Sequence, residues 1–207
     1  GTFAVKQPIP MKQLGIFIFD DVEVLDFAGP FEVFSVASQI SGNEQLQVHT
    51  FSETTELIRA KNGLQVKPDL GFDTLHSLDF LVIPGGDGTK KIIQNSVALS
   101  FIHSLTLHSQ WTMSVCSGSR ILGKTGFLDR KPYCTHHEVF GSMNEIVPSG
   151  IPRPDHRYVQ SDEKIWTAAG ISAGIDLSLH LLEKTFGADL AHATAAYMEY
   201  IPNLHTR

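Results

Sequence analysis

The amino-acid sequence predicts an α/β fold in which helices cover both faces of a doubly wound, mostly parallel sheet. Three observations support this prediction. Short continuous apolar runs rich in Ile, Val and Phe recur along the chain, as is typical of strands buried on both faces. Segments with apolar residues at helical spacing lie between these runs. Glycines and prolines separate the two kinds of segment, so that strands alternate with helices along the chain.

The first strand is predicted over residues 14–19 (LGIFIF), and a helix is predicted to follow it. Pro30 suits the first position of that helix, because proline lacks an amide hydrogen that would be left unpaired there. The helix presents one apolar stripe, formed by Val33, Val36, Ala37 and Ile40. We expect this stripe to pack against the sheet.

The second strand is predicted over residues 46–51. Lys61-Asn62-Gly63 lies between two short alternating runs and indicates the turn of a small β-hairpin. A third core strand is predicted over residues 79–83 (DFLVI), and it ends at the glycine-rich loop 84–88 (PGGDG). Because doubly wound sheets bind ligands at the carboxyl ends of their strands, we expect the functional site in loops of this kind.

The second half of the chain continues the same alternation. Further strands are predicted over residues 112–115 and 165–169. Further helices are predicted around Val97, Phe101 and Leu105, and over residues 117–125, 175–186 and 191–200.

Length and composition are those of one globular domain. The chain has 207 residues, of which 42% are hydrophobic and 18% are charged, so it can bury a core of its own. Residues 1–10 precede the first core strand and are expected to be an N-terminal extension. Residues 11–207 are expected to form a single α/β domain.

Charge and cysteine content disfavour several classes of protein. The formal net charge of −6 argues against binding to nucleic acids. No apolar run is long enough to span a membrane, and the first residues lack the pattern of a signal peptide. The two cysteines, Cys116 and Cys134, are too few for a disulfide scaffold, so we expect free thiols in the cytoplasm.

Cys116 is the strongest candidate for a catalytic residue, because it lies where a predicted strand turns directly into a predicted helix. This geometry, that of a nucleophile elbow, would point the thiol into the crevice at the strand ends. The positive end of the helix is expected to lower the pKa of the thiol and to favour the reactive thiolate. The alternative is that Cys116 is buried and inert. Cys134 has no such context and is expected to be inert.

Asp26 is the second candidate, because it lies between apolar neighbours just before the helix that Pro30 is predicted to begin. One interpretation is that its carboxylate caps the helix or balances the helix dipole. The other is that Asp26 is a general acid and base, whose pKa is raised by burial and by a neighbouring thiolate.

The loop 84–88 offers backbone N–H groups, such as that of Gly86, which would stabilise a developing negative charge. It lacks the Lys-Ser/Thr ending of a P-loop and the spacing of a dinucleotide-binding motif, so we expect no nucleotide cofactor.

Two histidines and one arginine complete the candidate residues. His136 and His137 would orient or deprotonate a group in the crevice, but they lack the H-x-x-x-H spacing of a zinc site, so we expect no metal. Arg120 lies on the predicted helix over residues 117–125, where an ion pair is its expected role.

Together, several of these segments resemble the ThiJ/PfpI family. They are residues 25–34 (LDFAGPFEVF), 83–86 (IPGG), 114–119 (SVCSGS), 135–136 (TH) and 173–176 (AGID). The resemblance implies a flavodoxin-like fold of the class-I glutamine amidotransferase type, which usually forms homodimers. It also implies that Cys116 is the nucleophile and Asp26 its acidic partner.

Within the family, the aspartate in the Leu-Asp-x-x-Gly-Pro block resembles that of the branch that hydrates isonitriles. The resemblance thus implies a hydro-lyase that adds water to an isonitrile and releases an N-substituted formamide, without metal or cofactor. Gly86, Ser117 and His136 would bind the substrate or the oxyanion. Ser117 stands where peptidase-like members have histidine, which argues against a peptidase. That branch typically has Thr and Trp at the positions of Ser117 and His137, so the pocket differs.

Two other functions are compatible with the same residues. One is a different cysteine-dependent enzyme of the family that acts on reactive carbonyl compounds, with His136 as the base. The other is a sensor of small molecules or of oxidation, in which Cys116 is oxidised rather than turned over. The module also resembles the sensor half of AraC-type regulators, which continue into a helix-turn-helix region. Because the sequence ends at Arg207, a stand-alone protein is expected.

Overall fold

The computed structural model describes Gly1 and residues 10–202. Its strands are β1 (Lys12–Phe17), β2 (Leu46–Phe51), β3 (Ile58–Arg59), β4 (Gln65–Val66), β5 (Phe80–Ile83), β6 (Trp111–Ser114), β7 (Pro132–Tyr133), β8 (Ile151–Pro152), β9 (Tyr158–Gln160) and β10 (Ile165–Ala168). Its helices are α1 (Val24–Ile40), α2 (Thr89–Ile92), α3 (Ser96–His108), α4 (Ser119–Lys124), α5 (Phe140–Ile146), α6 (Ala173–Phe186) and α7 (Ala188–Tyr197). Single 3-10 turns are formed by Lys61–Gly63 and Cys116–Gly118.

The central sheet has the strand order β2-β1-β5-β6-β10-β9. Its neighbouring strands are parallel, except that β9 runs antiparallel to β10. Strands β3 and β4 form a small antiparallel hairpin around the Lys61–Gly63 turn. The predicted α/β class, the mostly parallel sheet and the hairpin are therefore confirmed. The short parallel pair of β7 and β8 was not predicted.

The strands at the centre of the sheet are buried along their whole length, because helices cover the sheet. Every residue of β5 and β6 is buried. The rings of Phe80 in β5 and Trp111 in β6 occupy paired positions and stack with 4.7 Å between their centroids. Helices α1, α6 and α7 pack against one another, and α4 packs against α2 and α5. The apolar runs in the sequence thus form the core that holds the strand ends in place.

Helix α1 begins at Val24 and not at Pro30, so this part of the prediction was wrong. Glu23 has an extended backbone, and its N–H donates to the carbonyl of Gly85 at 2.9 Å. This bond anchors the chain at the end of β5, and the helix begins directly after it. Pro30 is buried inside the helix, where it lacks the amide that would bond to the carbonyl of Asp26. Asp26 therefore lies in the first turn of α1 rather than before the helix.

Other boundaries differ by a few residues. Strand β1 ends at Phe17, because pairing with β2 and β5 extends no further. Ile18 and Phe19, which were predicted to belong to the strand, are buried beyond its end. The helix predicted over residues 117–125 is divided into the 3-10 turn of Cys116–Gly118 and helix α4. The last helix, α7, begins earlier than predicted.

The predicted extension over residues 1–10 lies outside the described residues, apart from Gly1 and Pro10. Within the described ranges, none of the helices has both the length and the apolar character that crossing a bilayer requires.

Candidate active site

The candidate site lies at the carboxyl ends of β1, β5 and β6, which are neighbours at the centre of the sheet. Strand β2 lies on one side of β1, and β5 lies on the other. The strand order therefore reverses between β1 and β5. Asp26 follows β1, Gly85 follows β5 and Cys116 follows β6. Doubly wound folds bind ligands where their strand order reverses in this way.

Cys116 has a backbone conformation that residues other than glycine rarely adopt. Its φ angle is 56°, in the left-handed region, and it begins the 3-10 turn that leads from β6 into α4. Such a conformation costs about 1–3 kcal/mol and persists only where surrounding contacts hold it. Here the N–H of Cys116 donates to the carbonyl of Ala169 at 3.0 Å, and its carbonyl accepts the Thr135 hydroxyl at 3.0 Å. Thr135, next to His136 in the sequence, thus holds the elbow in place.

Glycines allow the loops after β5 and β6 to touch. A Cβ atom added at Gly85 would lie 2.5 Å from the backbone nitrogen of Ser117. A Cβ atom added at Gly118 would clash with the carbonyl oxygen of Ile83. Larger residues at either position would separate Cys116 from the loop that holds Asp26.

Asp26 is completely buried. Its Oδ2 atom accepts the N–H of Gly85 at 3.0 Å, whereas Oδ1 has no hydrogen bond of good geometry within the described residues. Burial raises the pKa of Asp26 to about 8, and the charge of Glu23 acts in the same direction. The Gly85 amide and the Cys116 thiol, which lies beside the carboxyl, lower this pKa but do not reverse the effect of burial. The carboxyl is therefore mostly protonated at neutral pH.

The expectation that the helix end lowers the pKa of Cys116 was wrong. Burial, followed by the negative charge of Asp26, raises the pKa of the thiol to about 12. The amides of Ile171 and Ser117 donate to the sulfur and lower the pKa, but by less. Helix α4 is too short and begins too late, at Ser119, to offset the loss of water around the thiol. The resting site thus holds a thiol beside a carboxylic acid.

Ile171 was not recognised from the sequence. It follows β10 with a φ angle of 44°, which is unusual for a β-branched residue, and this conformation accompanies the contact of its N–H with the Cys116 sulfur. No residue type in this segment signals such a backbone, because the surrounding fold imposes it.

The loop after β5 uses its amides inside the protein. The N–H of Gly86 donates to the Ser117 hydroxyl at 2.8 Å, and that of Gly85 donates to Asp26. The φ angle of Gly86 is 116°, and a Cβ atom there would lie 2.5 Å from the backbone of Asp21 and Glu23. The amide of Gly86 therefore binds a substrate only if the Ser117 hydroxyl moves away from it.

His136 belongs to the same site, whereas His137 is exposed beside it. The Nδ1 atom of His136 accepts the N–H of Glu138 at 3.1 Å, which assigns the proton of the neutral ring to Nε2. The rings of His136 and His137 stack with 4.3 Å between their centroids. His136 thus lines the cavity with its Nδ1 atom held by the backbone of Glu138.

These residues surround a cavity of about 260 Å³. The predicted site residues Gly86, Cys116, Ser117 and His136 line it, and Asp26 is buried next to Cys116 outside the lining. Sequence reasoning did not assign to the site the charged residues that also line it: Glu23, Lys61, Asp87, Lys90, Arg120 and Glu138. In the described part of the chain, no group of three or more His, Cys, Asp or Glu residues is arranged to hold a metal ion.

The ion pair expected for Arg120 is absent among residues 10–202, so this prediction was wrong. Arg120 is only 9% exposed and donates to the hydroxyls of Thr89 at 3.1 Å and Ser142 at 3.4 Å. A carboxylate on the same cavity, Asp87, instead pairs with Lys61 at 3.5 Å. Burial lowers the pKa of Arg120, but an arginine stays charged under all ordinary conditions.

Cys134 lies outside the cavity lining. It is 1% exposed, and its Sγ atom donates to the carbonyl of His156 at 2.8 Å. Cys116 and Cys134 are not joined to each other by a disulfide.

Comparison with known proteins agrees with this architecture. Isonitrile hydratase of Pseudomonas putida is 32% identical over 192 residues, which cover 92% of this chain and 79% of that protein. The HTH-type transcriptional regulator GbdR of Pseudomonas aeruginosa is 29% identical over 91% of this chain, which spans 51% of the regulator. The crystal structure of a THiJ/PfpI family protein from Pseudomonas syringae matches with a TM-score of 0.83 and 24% identity, over 98% of this chain and 83% of that one.

The relatives thus include an enzyme and a regulator. The family model described as the DJ-1/PfpI family matches residues 12–184, which is most of the chain. The resemblance recognised from the sequence blocks is confirmed, and the chain belongs to the DJ-1/PfpI family.

Proposed function

We propose that this protein is an isonitrile hydratase-like enzyme, which adds water to an isonitrile and releases an N-substituted formamide. The observation that carries the proposal is the contact of the Cys116 thiol with the completely buried carboxyl of Asp26. The 32% identity to isonitrile hydratase of P. putida supports the same reaction.

The first step forms a bond between sulfur and carbon. The terminal carbon of an isonitrile holds a lone pair, so it accepts a proton before or while a nucleophile adds to it. Asp26 donates its proton to this carbon, Cys116 sulfur attacks the same carbon, and the thiol proton passes to Asp26. The product is a thioimidate in which the carbon holds one hydrogen, and the carboxyl is protonated again.

The second step releases the product. Asp26 donates its proton to the nitrogen of the thioimidate and takes one from the attacking water. The resulting tetrahedral adduct holds a hydroxyl, an N–H and the sulfur on one carbon. Its hydroxyl proton passes through Asp26 to the sulfur as the S–C bond breaks, which gives the formamide and the free thiol. Only water is consumed.

The pKa values of the pair suit these transfers. General acids and bases work best when their pKa lies near the working pH, and that of Asp26 is raised to about 8. The Cys116 thiol keeps its proton in the resting state and loses it when the substrate is protonated. The N–H groups of Ile171 and Ser117 face the sulfur and would stabilise charge that develops on it.

The test is turnover of cyclohexyl isocyanide and of isocyanoacetate under reducing conditions, with the formamides measured by mass spectrometry. We expect turnover by the unaltered protein, and a loss of at least about 100-fold in both Cys116→Ala and Asp26→Asn. Cys134→Ala is the matched control and should retain activity, because Cys134 does not line the cavity. If the unaltered protein converts neither isonitrile, hydration is the wrong reaction.

A second candidate reaction is attack of Cys116 on a reactive carbonyl compound, and the placement of His136 in the same cavity favours it. His136 would then serve as the base, with its Nδ1 atom released from the N–H of Glu138 that it accepts in this structure. Conversion of methylglyoxal that survives Asp26→Asn but is lost in His136→Ala would select this reaction. The oxidation-sensor alternative is less favoured, because the thiolate is the form that is oxidised and the pKa of Cys116 is raised.

We also propose that the protein works as a homodimer in the cytoplasm. Two cysteines that are not joined by a disulfide fit a reducing compartment. The hairpin exposes two large apolar side chains, Leu57 at 60% and Leu64 at 50%, which a second copy would cover. Light scattering coupled to gel filtration measures the mass directly, and a monomer at micromolar concentration would contradict the proposal.

A further inference from the structure

Arg120 is a buried positive charge on the wall of the catalytic cavity. It is 9% exposed, lines the cavity together with Cys116, and has no carboxylate within ion-pair distance among the residues that the structure describes. Its hydrogen-bond partners there are the neutral hydroxyls of Thr89 and Ser142. Burial of a charge without a counter-ion is costly, so buried arginines are normally paired.

Thr89 and Ser142 do not need Arg120 for their own hydrogen bonds. The Thr89 hydroxyl donates to the carbonyl of Gly86 at 2.7 Å, and the Ser142 hydroxyl donates to that of Val139 at 2.9 Å. The hydrogen of each hydroxyl is thus used in a bond to a carbonyl, and its oxygen accepts from Arg120. This arrangement orients the guanidinium without neutralising its charge.

Two carboxylates that line the cavity form ion pairs with lysines and not with Arg120, although the charge of Asp87 still acts on the guanidinium from beyond ion-pair distance. Lys61 lies 3.7 Å from Glu23 and 3.5 Å from Asp87, and Lys90 lies 3.8 Å from Asp87. The carboxylates of Glu23 and Asp87 are thus paired with lysines. Glu138 is highly exposed, at 77% of its side chain, and lies 4.0 Å from His137.

The lining of the cavity also disfavours a purely hydrocarbon ligand. Among the described residues that line it, the aliphatic ones are Val139 and Ile171, whereas most of the others are polar or charged. A cavity of about 260 Å³ suits a compact molecule. An arginine presents paired N–H groups that match a carboxylate.

We propose that Arg120 binds a carboxylate of the substrate, so that the preferred substrates are small isonitriles that carry an acid group, such as isocyano carboxylates. The proposal rests on the proposed hydration reaction for the identity of the reacting group. The anion site itself is independent of that reaction, because it follows from the position of Arg120 on the same cavity as Cys116, with no carboxylate at ion-pair distance in the described ranges. Arg120 thus determines specificity, whereas Cys116 and Asp26 perform the chemistry.

The test of the anion site is alkylation of Cys116 by iodoacetate and by iodoacetamide. The two reagents are alike in size, but iodoacetate has a carboxylate where iodoacetamide has a neutral amide. The two rate constants are measured at pH 9 by intact mass, with peptide mapping to separate Cys116 from Cys134. We expect the ratio of the iodoacetate rate to the iodoacetamide rate to fall about tenfold or more in Arg120→Met, as loss of a charge-assisted hydrogen bond implies. An unchanged ratio would overturn the proposal.

Two further variants control for fold and for charge. Lys124→Met removes a positive charge from the exposed end of the same helix, so the ratio should stay at the value of the unaltered protein. Arg120→Gln keeps hydrogen-bond donors for Thr89 and Ser142 but has no charge, so its ratio should also fall even if Arg120→Met folds poorly. A drop in the Lys124→Met protein equal to that in Arg120→Met would show only an effect of net charge and would overturn the proposal.

Turnover separates this proposal from that of hydration. We expect kcat/KM to be higher for isocyanoacetate than for its neutral methyl ester, and Arg120→Met to remove that preference. If neither isonitrile is converted but the alkylation ratio depends on Arg120, hydration is wrong and the anion site serves another electrophile. If both isonitriles are converted equally and the ratio is independent of Arg120, hydration stands and the anion site is wrong.

Discussion

The carboxyl of Asp26 and the thiol of Cys116 lie in contact although they follow two strands, β1 and β6, that are not neighbours in the sheet. Strand β5 lies between them and ends at Gly85, whose N–H donates to Asp26 at 3.0 Å. Three crossover connections are therefore needed to bring one acid and one thiol together. Burial of this part of the fold raises the pKa of both groups, and the charge of Asp26 raises that of Cys116 further.

The first prediction concerns stability against pH. The pKa of Asp26 is raised from 3.8 to about 8 on folding, so between these values the folded state holds a proton that the unfolded state has lost. Stability from this group is therefore present at low pH and falls as pH rises, by about 1.4 kcal/mol per pH unit. From pH 5.5 to 7.5, Asp26→Asn should gain about 2–3 kcal/mol relative to the unaltered protein in urea unfolding. A difference that does not change with pH would contradict the raised pKa.

The second prediction concerns the reactivity of Cys116. Because burial raises the pKa of its thiol to about 12, alkylation by iodoacetamide should be slow at pH 8 and should still increase with pH at pH 10. In Asp26→Asn the charge of the carboxylate is removed, so the rate profile should shift to lower pH. A plateau below pH 8 in the unaltered protein would show a reactive resting thiolate instead.

The third prediction concerns the contact between the two glycine-containing loops. Gly85→Ala would place its Cβ atom 2.5 Å from the nitrogen of Ser117, so we expect a loss of about 1–3 kcal/mol of stability together with a loss of turnover. Gly141→Ala is the control, because no atom lies within 4 Å of its Cβ position and it is part of helix α5. This variant should be stabilised by about 0.5–1 kcal/mol in the same unfolding experiment. Equal effects of the two substitutions would argue against a close contact at Gly85.

The fourth prediction concerns an ion pair whose two residues do not line the cavity. Asp176 is 3% exposed, and its Oδ2 atom accepts from Arg157 at 2.5 Å, while its Oδ1 atom accepts from the Tyr200 hydroxyl at 3.0 Å. Arg157→Met removes a cation that is hydrogen-bonded to a buried carboxylate and should cost about 3–5 kcal/mol in chemical unfolding. The nearby, exposed Arg153→Met should change stability by less than about 0.5 kcal/mol. A comparable small effect of Arg157→Met would mean that other partners of Asp176 suffice.

Local patterns predicted the elements whose structure depends on neighbouring residues. The strand predicted over residues 79–83 became β5 (Phe80–Ile83), whose four residues are all apolar and buried. The Lys61-Asn62-Gly63 turn lies where expected, because Asn62 adopts the positive φ angle that such turns require. The predicted start of α1 at Pro30 was wrong. The preference of proline for the first helical turn is weaker than the tertiary hydrogen bond from Glu23 to Gly85, after which the helix begins.

The sequence by itself determined the α/β class, the alternation of strands and helices and the position of Cys116 after a central strand, since these depend on local apolar patterns and on the chain order of strands. Only the tertiary structure decided that Asp26 touches that thiol, that the pKa of Cys116 rises rather than falls, and that Arg120 has no carboxylate partner within the described residues. Burial and pairing of charges depend on which distant segments meet, and no local pattern contains that information.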